Sequence, residues 1–524
     1  MADTEVKKLA AELDKERRQW LGAWRNIASW FLPREPSWLA KPGKHTAAVA
    51  NGRILNPTGT QAATNFSNGF TEGTASRTRE WFKLRLPGFD YDGQSEVGIW
   101  LAEVERRLRL TFAQSNFYQA LGQAYFNMGL FGSGALYIEP DPRKIIRCYS
   151  APIGEFAFGT GPTGQVDKVH RVFALSASAL RERFHRVPDK VNRARDTEQF
   201  EVHHLTTTEK EYYWLAEGGK DEFLETKPVS SWPWATPRYD VLGYDSYGIG
   251  IGFMAVRFVK ALHHTELQKA RLMDKWENPP LQADAMLQNN AQSMISGGVT
   301  FVPGLLTNPG AGVRPLYQVD PRLQEILADV QRFENAIRSL FFNDLFLMIS
   351  QLDTVRSATE IIERKGEKMV MLGPVLQRVE DEVLSPAIAR VYDILDKAGL
   401  LPEPPQGLNG ADLTIEYVSM LYQAQQATGT VAIERWLALT GNTAGVWPEA
   451  PDRVDIDATL ADYAEKLGVS PANVRSDKAL EALRAQRAEQ AQMQQAQQLA
   501  QGAKTLSETQ VGGGQNALEM MLGG

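Results

Sequence analysis

Two long helical segments flank an insert rich in glycine and proline, and no other feature constrains the fold as strongly. The first segment covers 252–275 and ends at Asn278-Pro279-Pro280, because proline lacks the amide hydrogen that a helix requires. The insert covers 279–319 and holds strand candidates at 298–303 and 316–319. The second segment, 321–349, carries apolar residues at three- and four-residue spacing. This order predicts an extended hairpin of helices.

A further long helix is predicted at 357–398. Ser357-Ala358-Thr359-Glu360 has the spacing of a capping box, and Gly399 is suited to the C-cap. Pro374 and Pro386 lie inside the apolar pattern and predict kinks. About 40 residues give roughly 60 Å of helix, more than the diameter of a small domain. We therefore expect this element to span domains or subunits.

The remaining chain divides into a helical start, a β-rich block and a helical end. Turn residues separate short β-branched and aromatic runs in the middle, which predicts a meander, with Gly218-Gly219 as one hairpin turn. The predicted helices are a first one ending before Pro33, then 60–75, 95–114, 115–130, 176–185, 415–440, 457–467 and 476–501. The predicted strands are 81–86, 135–139, 145–149, 155–158, 166–173, 200–205, 211–216 and 222–226.

Composition narrows the classes of function. The 524 residues are about three domains' worth of chain, and the net charge of −7 argues against a tight binder of nucleic acid, which needs a basic footprint. The single cysteine, Cys148, excludes an internal disulfide framework and suits a reducing compartment. Neither a secretory signal nor a membrane span is recognisable, so we expect a soluble protein made in a cytoplasm.

Motifs for catalysis or cofactors are weak. The run Tyr247 to Gly252 has three glycines before a helix, but its third glycine is misplaced for a dinucleotide loop, so we interpret it as a close-packed helix entry. His203-His204 and His263-His264 are adjacent pairs whose side chains point apart, so neither pair can chelate a metal alone. We predict no cofactor and no enzymatic activity. An enzyme that uses dispersed carboxylates remains an alternative.

Two other groups of residues allow more than one interpretation. Trp20, Trp24 and Trp30 either pack on a large partner or belong to a core helix, and the core helix is the simpler interpretation. Basic clusters at 77–85 and 181–195 could contact phosphate, although a solvated surface is the favoured interpretation of both.

Several segments together resemble the head-to-tail connector, or portal, proteins of short-tailed bacteriophages. The first segment is Leu55 to Leu86, which contains Gly69-Phe70-Thr71 and Trp81-Phe82-Lys83-Leu84, and the second is Gly129 to Ile138. The third is Tyr247-Gly248, which leads to the helix that ends at Asn278-Pro279-Pro280. The fourth is Ser357 to Glu360, followed by Glu367, Leu372-Gly373-Pro374, Glu382, Leu384, Pro386 and Gly399 to Pro402. Ile251 departs from the pattern, which has proline after Gly250. The order and spacing of these segments over 15–405 carry the resemblance; residues beyond about 450 match least.

The resemblance implies an α+β, mostly helical, portal-type subunit in a ring of about twelve copies at one capsid vertex. Double-stranded DNA would be packaged and ejected through its channel. The implied segments are an α/β wing at 1–245, stem helices at 246–278 and 320–349, a small α/β clip at 279–319, a tunnel loop at 350–356, a long kinked wing helix at 357–400, a helical crown at 401–455, C-terminal barrel helices at 456–502 and a flexible tail at 503–524.

The same resemblance implies partners and site residues. The partners are identical subunits, double-stranded DNA, terminase, tail adaptors, the major capsid protein and scaffolding or internal core proteins, with no membrane, in a virion assembled in the host bacterial cytoplasm. The site residues are Gln351, Leu352, Asp353, Thr354, Val355 and Arg356 in the DNA-facing loop, Glu325, Asp329, Arg332 and Arg338 along the channel, and Pro279, Pro280, Phe301, Arg314 and Tyr317 for docking at the clip. Another virion scaffold or coat protein remains an alternative.

Overall fold

A computed structural model describes most of the chain, and the described residues fall into two compact units, 1–428 and 429–524. In the first unit these are 3–34, 39, 50–86, 96–217, 220–284, 298–302, 314–316, 323–350, 370–405 and 413–422. In the second they are 430–445, 447, 449–466, 480, 483–487, 490, 492–493, 510–511 and 515–516.

The fold is mixed α/β, with long helices around several small sheets. The α-helices are α1 (Asp3–Phe31), α2 (Thr58–Thr74), α3 (Glu96–Gln114), α4 (Phe117–Phe131), α5 (Ala177–Arg183), α6 (Asp189–Arg193), α7 (Ile251–Glu277), α8 (Leu323–Leu340), α9 (Asn343–Ser350), α10 (370–379), α11 (Ser385–Lys397), α12 (420–422), α13 (Thr430–Ala444) and α14 (Ile456–Lys466). A π-helical turn, Glu380–Leu384, joins α10 to α11, and a 3₁₀ turn covers Ala450–Arg453.

The strands form five antiparallel or mixed sheets. They are β1 (Phe82–Arg85), β2 (Ala135–Asp141), β3 (Ile145–Ala151), β4 (Phe156–Thr160), β5 (Val166–Ser176), β6 (Gln199–Thr207), β7 (Lys210–Glu217), β8 (Lys220–Pro228), β9 (Trp234–Ala235), β10 (Leu281–Asp284), β11 (Val299–Val302), β12 (Arg314–Pro315), β13 (Thr414–Tyr417), β14 (Gln510–Val511) and β15 (Gln515–Asn516). The order β4-β5-β6-β7-β8 is antiparallel throughout, so the predicted meander is confirmed.

The first helix belongs to the core. Trp24 is completely buried, while Trp20 and Trp30 pack partly buried against the main core. The Trp24 indole N–H donates to the carbonyl of Phe131, and its ring lies 5.2 Å from that of Tyr247. The tryptophans therefore stabilise the subunit itself, as the simpler interpretation held.

The glycines at 248–252 form a contact between backbones. A Cβ added to Gly252 would lie 2.1 Å from the carbonyl oxygen of Leu130, and one added to Gly250 would lie 2.5 Å from the amide nitrogen of Gly132. Gly132 ends α4 with φ of +92°, a conformation that favours glycine. The amide of Gly248 donates to Ser133 Oγ, so this donor is used internally. The interpretation as a close-packed helix entry is confirmed.

One continuous helix over 321–349 was predicted wrongly. The structure breaks it at Phe341–Phe342, where Phe342 has φ of +53°. Phe341, Phe342, Leu345 and Phe346 are all buried, and α9, which follows the break, packs against α2. Phe341 and Phe346 both pack edge-on against Phe66 of α2, at 6.3 and 5.5 Å.

Pro386 explains how the helix near 380 is linked to the sheets. Proline has no N–H, so the carbonyl of Glu382, four residues earlier, lacks its helical partner. The amide of Thr236, next to β9, donates to that carbonyl at 3.0 Å. The chain adopts the π turn just before the proline.

The predicted C-terminal end of the long helix at Gly399 is confirmed. Gly399 has φ of +65°, and the amide of Leu400 donates to the carbonyl of Leu395.

One other prediction needs correction. Residues 415–417 are not helical, because β13 pairs antiparallel with β1, and the alternating Ile415 and Tyr417 of β13 suit a strand. The last described strand of the insert, Arg314–Pro315, begins two residues before the predicted strand at 316–319, of which only Leu316 is described. In the tail β14 pairs with β15, and its flexibility stays a prediction.

Several predictions lie outside the described residues, namely the start of the helix at 357–369, the Gly218-Gly219 turn and most of 476–501. Among the latter, 480, 483–487, 490 and 492–493 are helical; Leu480 and Leu483 are half-buried, and the other described side chains are exposed.

Candidate functional site

The paired helices α7 and α8 form an antiparallel hairpin that ends in a three-stranded sheet. The two helices pack against each other, α7 leading to the sheet and α8 leading back. In the sheet β10 lies between β11, which runs parallel to it, and β12, which is antiparallel. A parallel pair needs a long connection, consistent with 285–298 between β10 and β11. This hairpin is the extended element that the sequence predicts.

A single asparagine joins the two helices at the base of the hairpin. The side-chain amide of Asn56 donates to Glu266 of α7 at 3.2 Å and to Glu334 of α8 at 3.0 Å. The amides of Leu55 and Asn56 both lie within 3.4 Å of His263 Nδ1, which accepts from them. Burial lowers the pKa of His263, so the neutral, accepting form is favoured.

Asn56→Ala is expected to lower the free energy of unfolding by about 1–3 kcal/mol, because two partly buried carboxylates lose their shared donor. Asn335→Ala, at an exposed position of α8, is the control and should change stability by less than about 0.5 kcal/mol. Denaturant unfolding of both variants measures the difference. Equal stabilities would contradict the role of Asn56.

Beyond this base the hairpin is poorly covered by the rest of the subunit. On α7 the side chains from Ala270 to Glu277 are exposed except for Leu272, which is half-buried. Trp276 in this part of α7, and Met254 and Phe258 on the core side of the base, are large apolar side chains with exposed fractions of 55%, 56% and 39%. On α8, Val330 and Ile337 are buried, while Leu327 is half exposed. A helix pair with so little cover in one subunit is suited to contacts with other molecules.

The predicted channel residues do not share one face of α8. Glu325, Asp329 and Arg332 follow at four- and three-residue spacing and are exposed, and Asp329 pairs with Arg332 at 3.1 Å. Arg338 instead pairs with Glu334 at 3.0 Å, at the base of the hairpin where Asn56 binds Glu266 and Glu334, which we call the Asn56 junction. The structure therefore brings three of the four together and places Arg338 at the base.

The predicted docking residues are partly described. Pro280 is buried, and its carbonyl accepts the amide of Leu316 at 2.7 Å, which joins the start of β10 to the end of β12. Phe301 is half-buried on β11 opposite Ala283, and Arg314 stands opposite Gln282. Pro279 is half-buried beside them. Tyr317 and the six loop residues from Gln351 to Arg356 lie outside the described residues.

The histidines are structural in this geometry. His170 Nδ1 lies 3.2 Å from Asp14, and its Nε2 lies 3.1 Å from His203, so these groups join α1 to the five-stranded sheet. His204 points to the other face, 3.1 Å from Thr206, and burial lowers its pKa to about 4. Within the described ranges, no group of three or more His, Cys, Asp or Glu side chains could hold a metal ion.

Part of each basic cluster is paired within the subunit. Arg181 donates to the carbonyls of Val191 and Ala194, and Arg183 pairs with Glu139 at 2.7 Å. Arg85 pairs with Glu416 at 2.7 Å across β1 and β13. These contacts hold neighbouring elements together, while Arg186, Arg193 and Arg195 of the second cluster are exposed.

The chain is similar to known proteins of one family. A sequence model of the family described as "Bacteriophage head to tail connecting protein" matches residues 3–474. The chain belongs to this family. It is 35% identical to the portal protein of Salmonella phage epsilon15, over 97% of both chains. It is 32% identical to the probable portal protein of Bordetella phage BPP-1, over 88% of this chain and 86% of that protein.

Two solved structures align with this connector-family chain at low similarity. The neck of an empty gene transfer agent (GTA) particle aligns with 80% of this chain and 92% of that chain, at 13% identity and a TM-score of 0.37. The virion of the native GTA particle aligns with 82% of this chain and 89% of that chain, at 13% identity and a TM-score of 0.33. In the described part of this connector-family chain, no helix combines the length and apolar character of a membrane span.

Sequence reasoning missed the residues that fix the base of the hairpin. Asn56 precedes Pro57, a turn signal, and its side chain also accepts from the amide of Thr58 at the start of α2. That signal locates a helix start, but it does not identify Glu266 and Glu334 as partners some 210 and 278 residues away. The pairing of Arg238 with Glu382 was missed for the same reason.

Proposed function

We propose that this protein is the portal of a tailed bacteriophage, a ring of identical subunits at one capsid vertex that serves as the channel for DNA. The observation that carries the proposal is the similarity to two phage portal proteins over nearly the full chain. The uncovered α7–α8 hairpin supports it, because such a pair requires neighbours. We expect about twelve subunits and a structural role without catalysis.

The segments of the portal follow the chain order. We assign the wing to 1–245, the stem to 246–278 and 320–349, the clip to 279–319 and the tunnel loop to 350–356. The long wing helix takes 357–400, the crown 401–455 and the barrel helices 456–502. The β10–β12 sheet at the end of the hairpin supports the clip assignment, since it lies beyond the exposed half of α7, whereas the first half of α7 packs in the main core.

The clip is the proposed docking site for terminase during packaging and for tail adaptors afterwards. Pro279, Pro280, Phe301, Arg314 and Tyr317 are the candidate contacts, and the capsid and internal core proteins would meet other surfaces of the ring. We infer that the protein is a virion component assembled in the bacterial cytoplasm.

The charge of α8 suits a conduit for DNA. Over 320–349 there are five acidic side chains against three basic ones, so a wall built from this segment has no positive excess to hold phosphate. DNA would then slide along the wall. In the tunnel loop, Arg356 is the residue suited to an attractive phosphate contact.

Arg356→Glu is expected to reduce the yield of DNA-filled particles by about tenfold or more, because an attractive contact becomes repulsive in every subunit. The measurement is complementation of a phage lacking the gene, followed by counting filled and empty particles. Arg193→Glu, a charge reversal at an exposed residue of α6, is the control and should leave the yield unchanged. An unchanged yield for Arg356→Glu would contradict the role of the loop.

The ring itself is tested by native mass spectrometry and negative-stain microscopy of the purified chain. Assemblies of about twelve subunits with a central channel are expected. A stable monomer or dimer would overturn the portal function, and a hydrolase activity in that species would favour the enzyme alternative.

A further inference from the structure

Four apolar side chains, two near each end of α7, form what we call the apolar stripe, with Ala261, Thr265 and Gln268 between them on the same side. Met254 and Leu272 are 18 residues apart, as are Phe258 and Trp276, and 18 residues are five turns of an α-helix. All four therefore lie on one side of α7, and Met254, Phe258 and Trp276 are well exposed although large and apolar. Such a stripe is suited to packing against another helix.

A basic stripe runs beside the apolar one. Arg257 and Lys275 are also 18 residues apart, and His264 and Arg271 lie between them at seven-residue steps from Arg257. All four side chains are exposed. Among the described residues, Arg271 and Lys275 form no ion pair. Acids do occur nearby on α7, at Asp274 and Glu277.

The matching acidic charges lie on α8. Glu325 and Asp329 are exposed on one side of that helix, one turn apart, with Arg332 following. The neighbouring exposed residues of α8, Gln324, Ala328 and Gln331, are uncharged.

The Asn56 junction sets the relative height of these charges. Glu266 and Glu334 are level, since both bind the same side-chain amide. The helices are antiparallel and rise about 1.5 Å per residue. Arg271 is five residues beyond Glu266 and Asp329 five before Glu334, so these two are level. Lys275 and Glu325, each nine residues from the junction, are level as well.

We propose that α7 of one subunit packs against α8 of the next, with Arg271 facing Asp329 and Lys275 facing Glu325 across the interface. The inference rests on the proposed ring, because rotation about the ring axis places every residue of one copy at the same height in its neighbour. The contact is heterologous, α7 to α8, as a closed ring requires. The apolar stripe supplies the buried area, and the two charge pairs fix the register.

The test is a charge reversal and its compensation, followed by native mass spectrometry. Arg271→Glu with Lys275→Glu places like charges at every interface, and the subunit concentration for half-assembly should rise by about tenfold or more. Adding Glu325→Lys and Asp329→Lys restores opposite charges and should restore the ring. Lys15→Glu with Arg18→Glu, exposed on α1, is the matched control and should assemble normally.

Circular dichroism and melting of the dissociated subunits show whether each variant remains folded, which is expected because all four residues are exposed. A ring that forms normally from the double reversal overturns the inference and leaves the portal function intact. A ring lost in the double reversal but not restored by the compensation overturns the pairing with α8. A wild-type chain that forms no ring overturns both proposals.

Discussion

Gly252→Ala is expected to lower the free energy of unfolding of the first unit by about 3 kcal/mol or more. The new Cβ would stand 2.1 Å from the carbonyl oxygen of Leu130, and 3.0 Å from the Leu130 side chain. A backbone oxygen cannot rotate away, so α7 would have to separate from the end of α4. Denaturant unfolding monitored by tryptophan fluorescence measures the loss.

Gly22→Ala is the matched control, because Gly22 lies in α1 with no atom within 4 Å of an added Cβ. Alanine there should stabilise the protein by about 0.5–1 kcal/mol, as expected for an exposed helical position. If Gly252→Ala were as stable as the wild type, the close approach of α7 and α4 would be wrong.

Arg238→Leu is expected to destabilise the same unit by about 3–5 kcal/mol at neutral pH. Arg238 Nε donates to Glu382 at 3.0 Å, and Nη1 and Nη2 donate to the carbonyls of Asp245 and Gly164. The side chains of Arg238 and Glu382 are only 3% and 7% exposed. The substitution therefore leaves a buried carboxylate without its cation.

The loss of stability caused by Arg238→Leu should depend on pH. Burial raises the pKa of Glu382, and Arg238 opposes that shift. Without the arginine the pKa rises further, so the carboxyl is protonated in the fold at mildly acidic pH and the variant is least impaired there. The deficit grows as the pH rises through the folded-state pKa. A deficit independent of pH would contradict this explanation.

A double variant separates the charge from the packing. Arg238→Leu with Glu382→Leu removes both buried charges, and it should recover most of the stability lost in the single variant. A double variant no more stable than Arg238→Leu would show that the packing and carbonyl contacts of Arg238 outweigh its ion pair.

Local patterns predicted most helices and strands because their causes are local. The apolar spacing of α1, the alternation in β5 to β8 and the breaker Asn278-Pro279-Pro280 each act over a few residues. The failures occurred where distant contacts compete with local preference. Residues 415–417 became a strand because β1 offered an edge, and the helix predicted at 321–349 breaks at Phe341–Phe342, after which α9 packs on the distant helix α2.

The candidate site was predictable in outline and not in its contacts. The hairpin follows from two periodic segments around a breaker-rich insert, and Glu325, Asp329 and Arg332 follow from their spacing. The junction at Asn56 joins residues more than 200 positions apart, and no local pattern encodes such a meeting.

By itself the sequence determined the hairpin, the meander, the glycine-lined helix entry and, through the resemblance of its ordered segments, the connector family. These depend on spacing and backbone chemistry, which are properties of short stretches. Only the tertiary structure decided that Asn56 sets α7 level with α8, that Arg238 neutralises Glu382, and that the apolar stripe of α7 stays uncovered. Burial and pairing are decided by the folded chain, because they depend on which distant surfaces meet.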